Sequence, residues 1–145
     1  MSEEKGQVIK MEKKSLIMVV DDDLIYLDMV RGIISEYYNV ILATSGVQAV
    51  RIMQRDRAPD LILLDIVLPG MDGYDTYEHI YSISELSGIP VIILTGVTGS
   101  TAELTGLSLG AQDYITKPFE REILLARIRL RLDSGRQARQ LQIMR

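Results

Sequence analysis

The sequence predicts an α/β fold, a five-stranded parallel sheet doubly wound with helices on both faces. Five short apolar runs recur along the chain, at 16–20, 39–44, 61–64, 91–94 and 113–116. Segments with helical periodicity separate them and follow the last. The first, third and fourth runs (LIMVV, LILL and VIIL) are almost continuously apolar, as strands covered on both faces are. A β-α alternation repeated five times requires parallel strands joined by right-handed crossovers.

The elements follow in order. Residues 1–14 are polar and aperiodic and read as an N-terminal tail. The domain is expected over residues 15–132. Leu24, Leu27, Val30, Ile33 and Ile34 mark a first helix behind Asp23, whose carboxylate suits an N-cap. Val47, Val50 and Met53 mark a second, capped by Ser45. Tyr77, Ile80, Tyr81 and Ile83 mark a third, after the turn PGMDG at 69–73. Ser100–Leu109 is the fourth, preceded by Gly96 and Gly99 and closed by Gly110. Ile123, Leu124, Ala126, Ile128 and Leu130 mark the fifth. Residues 133–145 read as a C-terminal extension or the start of a linker to an output domain. Gly135 argues against an uninterrupted helix there, whereas Ala138, Leu141 and Met144 suit a short amphipathic extension.

Composition narrows the function. The chain has 145 residues, 47% hydrophobic and 25% charged, ordinary for one globular domain. There is no Cys, which excludes thiolate metal sites and cysteine catalysis. The one His, His79, excludes multi-histidine sites and is expected on a helix surface. No run approaches about 18 apolar residues, and the N-terminus has no apolar core of a signal peptide. A cytoplasmic protein with no membrane partner is expected. The net charge is −4, yet residues 121–145 hold seven Arg against Glu122 and Asp133. That segment reads as a helix with a solvated Arg face rather than a nucleic-acid surface.

In sheets of this kind the ligand site lies beyond the carboxyl ends of the strands. Asp21, Asp22 and Asp23 follow the first run, Asp65 the third, Thr95 the fourth, and Lys117 with Pro118 the fifth. Alone, each has an ordinary explanation. Together they bring carboxylates, a hydroxyl and an ammonium to one edge. Carboxylates held side by side are unfavourable unless a cation lies between them. Oxygen ligands without His or Cys favour Mg²⁺. There is no G-x-G-x-x-G fingerprint and no Walker-type lysine motif.

The set VVDDD (19–23), LLDIVLPGMDG (63–73), ILTG (93–96) and DYITKPF (113–119) resembles the receiver domain of two-component response regulators. The resemblance covers about residues 15–132. It implies a flavodoxin-like sheet with strand order 2-1-3-4-5. It implies that Asp65 is the phosphoacceptor, taking a phosphoryl group from a sensor histidine kinase or phosphotransfer protein. Asp21, Asp22, Asp65 and the backbone carbonyl of Val67 would hold Mg²⁺. Thr95 and Lys117 would bind phosphoryl oxygens, and Tyr114 would be the aromatic residue that turns inward as Thr95 moves. The Lys117–Pro118 bond would be cis.

The resemblance further implies output through the fourth helix, fifth strand and fifth helix, with no catalysis beyond the domain's own phosphorylation and dephosphorylation. This face is a candidate for weak homodimerisation, with Asp113 and Arg127 at positions that pair across such an interface. Gly96 stands where the family more often has Ala. Val67 and Val97 offer no hydrogen bond to an attacking water, so a long-lived acyl phosphate is expected. Two other readings remain: a Mg²⁺-dependent phosphatase or phosphotransferase of another α/β family, and a non-phosphorylated pseudo-receiver acting as an interaction module.

Overall fold

The five apolar runs form strands β1 (Leu16–Val20), β2 (Asn39–Ala43), β3 (Leu61–Leu64), β4 (Val91–Thr95) and β5 (Asp113–Thr116). The molecule is seen in a computed structural model that describes residues 14–143 other than 84, with 135–143 as backbone only. The helices are α1 (Leu24–Ile34), α2 (Gly46–Arg55), α3 (Gly73–Ser82), α4 (Ser100–Ser108) and α5 (Arg121–Ile143). All strand pairs are parallel and the order is β2-β1-β3-β4-β5, as expected. Residues 1–13 of the expected N-terminal tail, and Met144, lie outside the described residues.

Alternation along the strands divides the core into layers. Ile17, Val19, Leu61, Leu63, Ile92 and Leu94 face α1 and α5, meeting Leu27, Val30, Ile34, Leu124, Ile128 and Leu132. Met18, Val20, Ile62 and Leu64 face α2 and α3, meeting Ala49, Val50, Met53, Tyr77 and Ile80. A smaller third cluster holds Ile66, Ile93, Ala111 and Tyr114 beneath α4. Burying each large side chain contributes about 1.5–3 kcal/mol before the entropy of ordering is subtracted.

The structure corrects the helical faces in detail. Leu24, Val47, Tyr81, Ile123 and Leu130 are exposed rather than buried. In α2, Val50 and Met53 are buried as expected, and Gly46 and Ala49 complete the inner face in place of Val47. The reason is close approach: a Cβ on Gly46 would lie 2.0 Å from Thr76 Oγ1 of α3. Small residues define that face, and hydropathy does not register them. The expected break at Gly135 is also absent, because α5 runs unbroken to Ile143. A helical Gly costs only about 1 kcal/mol against Ala, and good helix formers (Arg136, Gln137, Ala138, Gln140 and Leu141) follow it. No helix among the described residues is long and apolar enough to cross a membrane.

Chain direction reverses around β1. The connection through α1 leads to β2 on one side, and that through α2 leads to β3 on the other. The crevice beyond the carboxyl ends of β1 and β3 is the switch point, where such sheets bind ligands.

Candidate functional site

Sheet hydrogen bonds carry the backbone straight into the site. Asp21 N donates to Ala43 O at 3.0 Å and Asp65 N donates to Val20 O at 2.9 Å. Both aspartates are therefore fixed where the strands end. Asp21 and Asp65 are 4% and 6% exposed, whereas Asp22 is exposed. Asp23 caps α1, accepting from Ile25 N at 2.9 Å, and takes no part in the acidic group.

Carboxylate oxygens of Asp21, Asp22 and Asp65 lie within 4.8 Å of one another. Lys117 Nζ donates to Asp21 Oδ2 and to Asp65 Oδ2 at 3.0 Å. Burial alone would push the Lys117 ammonium down, but these hydrogen bonds outweigh it and hold the pKa above 10.5. Burial pushes the Asp21 carboxyl up, with the Lys117 hydrogen bond opposing it. Thr95 is wholly buried as the last residue of β4, and Oγ1 donates to Asp65 Oδ1 at 2.6 Å. Val67 N donates to the same oxygen at 3.0 Å.

The loop after β3 is shaped by the PGMDG turn. Asp72 caps α3, accepting from Asp75 N at 2.8 Å. A Cβ on Gly73 would lie 2.3 Å from Ile66 Cα and 2.4 Å from Asp65 O. Only glycine lets α3 start this close to the residue that carries the central carboxylate. Gly73 N donates to Ile66 O at 3.0 Å, fastening the helix to that loop.

The remaining expected residues are placed as follows. The Lys117–Pro118 peptide is cis. Tyr114 is turned inward, 9% exposed, and its hydroxyl donates to Val97 O at 2.8 Å. Val67 is 58% exposed at the mouth of the cleft. His79 lies on the exposed face of α3. Asp113 and Arg127, expected to pair between chains, pair here within one chain: Arg127 Nη1 lies 2.6 Å from Asp113 Oδ1, and Arg131 Nη2 lies 3.4 Å from Oδ2. Both carboxylate oxygens are already engaged.

Tyr26 escaped the sequence reading. The Tyr26 ring lies under Lys117, with Nζ 4.1 Å from its centroid. In sequence Tyr26 is one more residue of an amphipathic helix, and only the fold brings it against Lys117. It lines the same cleft, of about 420 Å³, as the three aspartates, Thr95 and Lys117.

The donor set fits Mg²⁺. Three carboxylates converge with no His or Cys among them, which suits a hard dication taking oxygen ligands and water. Three clustered carboxylates, a buried hydroxyl and a half-buried ammonium at the carboxyl edge of a flavodoxin-like parallel sheet are the features of a receiver-type signalling switch.

Comparison with known proteins agrees. The sequence matches the family model of the response regulator receiver domain over residues 17–129. It is 39% identical over 117 residues to the DNA-binding response regulator MtrA of Mycobacterium tuberculosis, covering 80% of this chain and 50% of that protein. The transcriptional regulatory protein AfsQ1 of Streptomyces coelicolor is 36% identical over 121 residues, covering 83% of this chain and 52% of that one. A crystal structure of a putative response regulator from Chloroflexus aurantiacus superposes with a TM-score of 0.79 at 30% identity, covering 83% of this chain and 99% of that one. The chain spans about half the length of the curated relatives it matches. It belongs to the response regulator receiver domain family, the phosphorylation-dependent switch of two-component signalling.

Proposed function

We propose that Asp65 is the phosphoacceptor and that its phosphorylation drives the switch. The observation that carries this reading is the convergence on one carboxylate of Thr95 Oγ1 at 2.6 Å and Lys117 Nζ at 3.0 Å, beside two further aspartates. The donor is a sensor histidine kinase or a phosphotransfer protein bearing a phosphohistidine. An Asp65 oxygen forms the new O–P bond as the P–N bond breaks, and the imidazole leaves with the electron pair. An ionised carboxylate has no proton to lose, so no general base is required.

Phosphoryl transfer depends on positioning and charge neutralisation. Lys117 Nζ and Thr95 Oγ1 already point at the acceptor and would exchange carboxylate oxygens for phosphoryl oxygens. Asp21, Asp22, Asp65 and the Val67 carbonyl would hold Mg²⁺, which when bound neutralises charge on the phosphoryl group. The Tyr114 hydroxyl, on the carbonyl two residues beyond Thr95, would pass the state of the site to the face formed by α4, β5 and α5. The domain catalyses nothing beyond its own phosphorylation and dephosphorylation. It works in the cytoplasm, without membrane or direct nucleic-acid contact by this segment.

Self-association through that face would be weak. The Asp113–Arg127 pair is closed within the chain, and an intermolecular pair must first open it. Asp113 is buried, and its carboxylate would have to give up both Arg127 and Arg131 to pair across an interface. Sedimentation with and without beryllofluoride should therefore detect at most a weak dimer that the phosphoryl mimic enhances.

Intact-mass measurement after incubation with acetyl phosphate and Mg²⁺ tests the reading. One phosphoryl group per chain supports it. Many turnovers of donor without an adduct would favour a phosphatase, and neither adduct nor turnover would favour a pseudo-receiver.

A further inference from the structure

α4 lacks the features that usually fix a helix to a sheet. Gly106 is its one buried residue. Leu104 and Leu107 point outward, 63% and 40% exposed. Its N-cap is Gly99, with φ 118° and no side-chain hydrogen bond to the first turn. An amphipathic helix draws most of its stability from its apolar face, and α4 has almost none.

Two phenol hydroxyls hold this segment instead. Tyr114 Oη donates to Val97 O at 2.8 Å, just before the helix. Tyr74 Oη donates to Ala102 O at 3.1 Å, within its first turn. Both rings belong to one cluster: Tyr74, Val97 and Ala102 pack against Ile66, Ile93, Ala111 and Tyr114. The absence of a side chain at Gly106 makes this possible, since a Cβ there would lie 2.5 Å from Ile93 Cδ1 and 3.4 Å from the Tyr114 ring.

The two tyrosines reach α4 from the same carboxylate by different routes. Tyr114 acts through β4: Asp65 binds Thr95 Oγ1, and Val97 N lies 3.4 Å from that oxygen. Tyr74 acts through α3. It follows Gly73, which packs on Asp65 O and donates to Ile66 O at 3.0 Å. A shift of the Asp65 loop therefore moves the base of Tyr74 directly. Burial, with the neighbouring Asp72 charge, raises the Tyr74 phenol above 10, so it stays a donor at neutral pH.

We propose that Tyr74 is a positioning residue for α4, a second latch beside Tyr114 that couples the phosphorylation state of Asp65 to the docking of that helix. The inference rests on the proposed role of Asp65. It gives the output face two inputs from one site, where the sequence resemblance supplies only Tyr114.

Amide hydrogen exchange of wild type, Tyr74→Phe, Tyr114→Phe and the double variant, each with and without beryllofluoride and Mg²⁺, tests it. Tyr74→Phe keeps the ring in the cluster and removes only the hydroxyl. One lost hydrogen bond should speed exchange across 100–108 by roughly 2- to 10-fold. Exchange in β1 and β3 should stay as in wild type, which a general loss of stability would not permit. The double variant should lose the change that beryllofluoride produces in α4. A wild type that responds at α4, with Tyr74→Phe matching it in both states, would overturn the latch while leaving Asp65 as acceptor. A wild type showing no response anywhere in the Asp65 loop would overturn both.

Discussion

Thr95 and Asp65 end adjacent strands, and the buried Thr95 hydroxyl donates to Asp65 Oδ1 at 2.6 Å. The bond spans β4 and β3 and makes the state of one carboxylate legible to the loop that leads into α4. A hydrogen bond to a charged group contributes about 1.5–3 kcal/mol. Thr95→Ala should slow phosphorylation by acetyl phosphate by roughly 10- to 100-fold if that bond matures in the transition state. Thr95→Ser should recover most of the rate. Initial rates of adduct formation provide the check.

Mg²⁺ affinity should depend on Asp22 even though Asp22 makes no contact with Lys117. Asp22 is the one carboxylate of the three that Lys117 does not already engage, and without it the remaining ligands compete poorly against bulk hydration of the ion. Asp22→Ala should lose most of the binding seen in a Mg²⁺ titration, read by calorimetry or by chemical shifts of the strand ends. An unchanged titration would place the metal elsewhere.

Tyr26 should tune the site through its ring alone. A cation over an aromatic face gains about 0.5–2 kcal/mol. Tyr26→Leu should weaken beryllofluoride binding by roughly 2- to 30-fold, because Lys117 loses one wall of its pocket. Tyr26→Phe should bind as wild type does. Equal losses in the two variants would point to the hydroxyl instead.

The aspartyl phosphate should be long-lived. Loss of the phosphoryl group requires a water oriented in line with the Asp65 oxygen. Val67, 58% exposed at the cleft mouth, and Val97 line that cleft with apolar side chains. Decay measured in excess Mg²⁺ should quicken in Val67→Asn and Val97→Glu. Fast decay in the wild type, or no change in either variant, would mean that backbone groups control the water.

Much of this was legible because the sequence signals were local. Apolar runs of Val, Ile and Leu located each strand to within a residue, and the strand-end rule then found Asp21, Asp22, Asp65, Thr95 and Lys117. The third dimension hid the rest. Tyr26 meets Lys117 across residues far apart in sequence. Tyr74 meets Ala102 across 28 positions. The Gly46 and Ala49 face of α2 carries no hydrophobic signal because its closeness to α3 requires small residues. The Asp113–Arg127 pair was visible as a pair, but not that a single chain closes it. Gly135 looked like a stop because a local rule was read without the helix formers beyond it.

The switch as proposed begins when Asp65 takes the phosphoryl group. The most direct measurement is the intact mass of wild type and Asp65→Asn after incubation with acetyl phosphate, with Mg²⁺ and with chelator. One added phosphoryl group per wild-type chain is expected, dependent on Mg²⁺ and absent from Asp65→Asn. An adduct of equal yield in Asp65→Asn would contradict it.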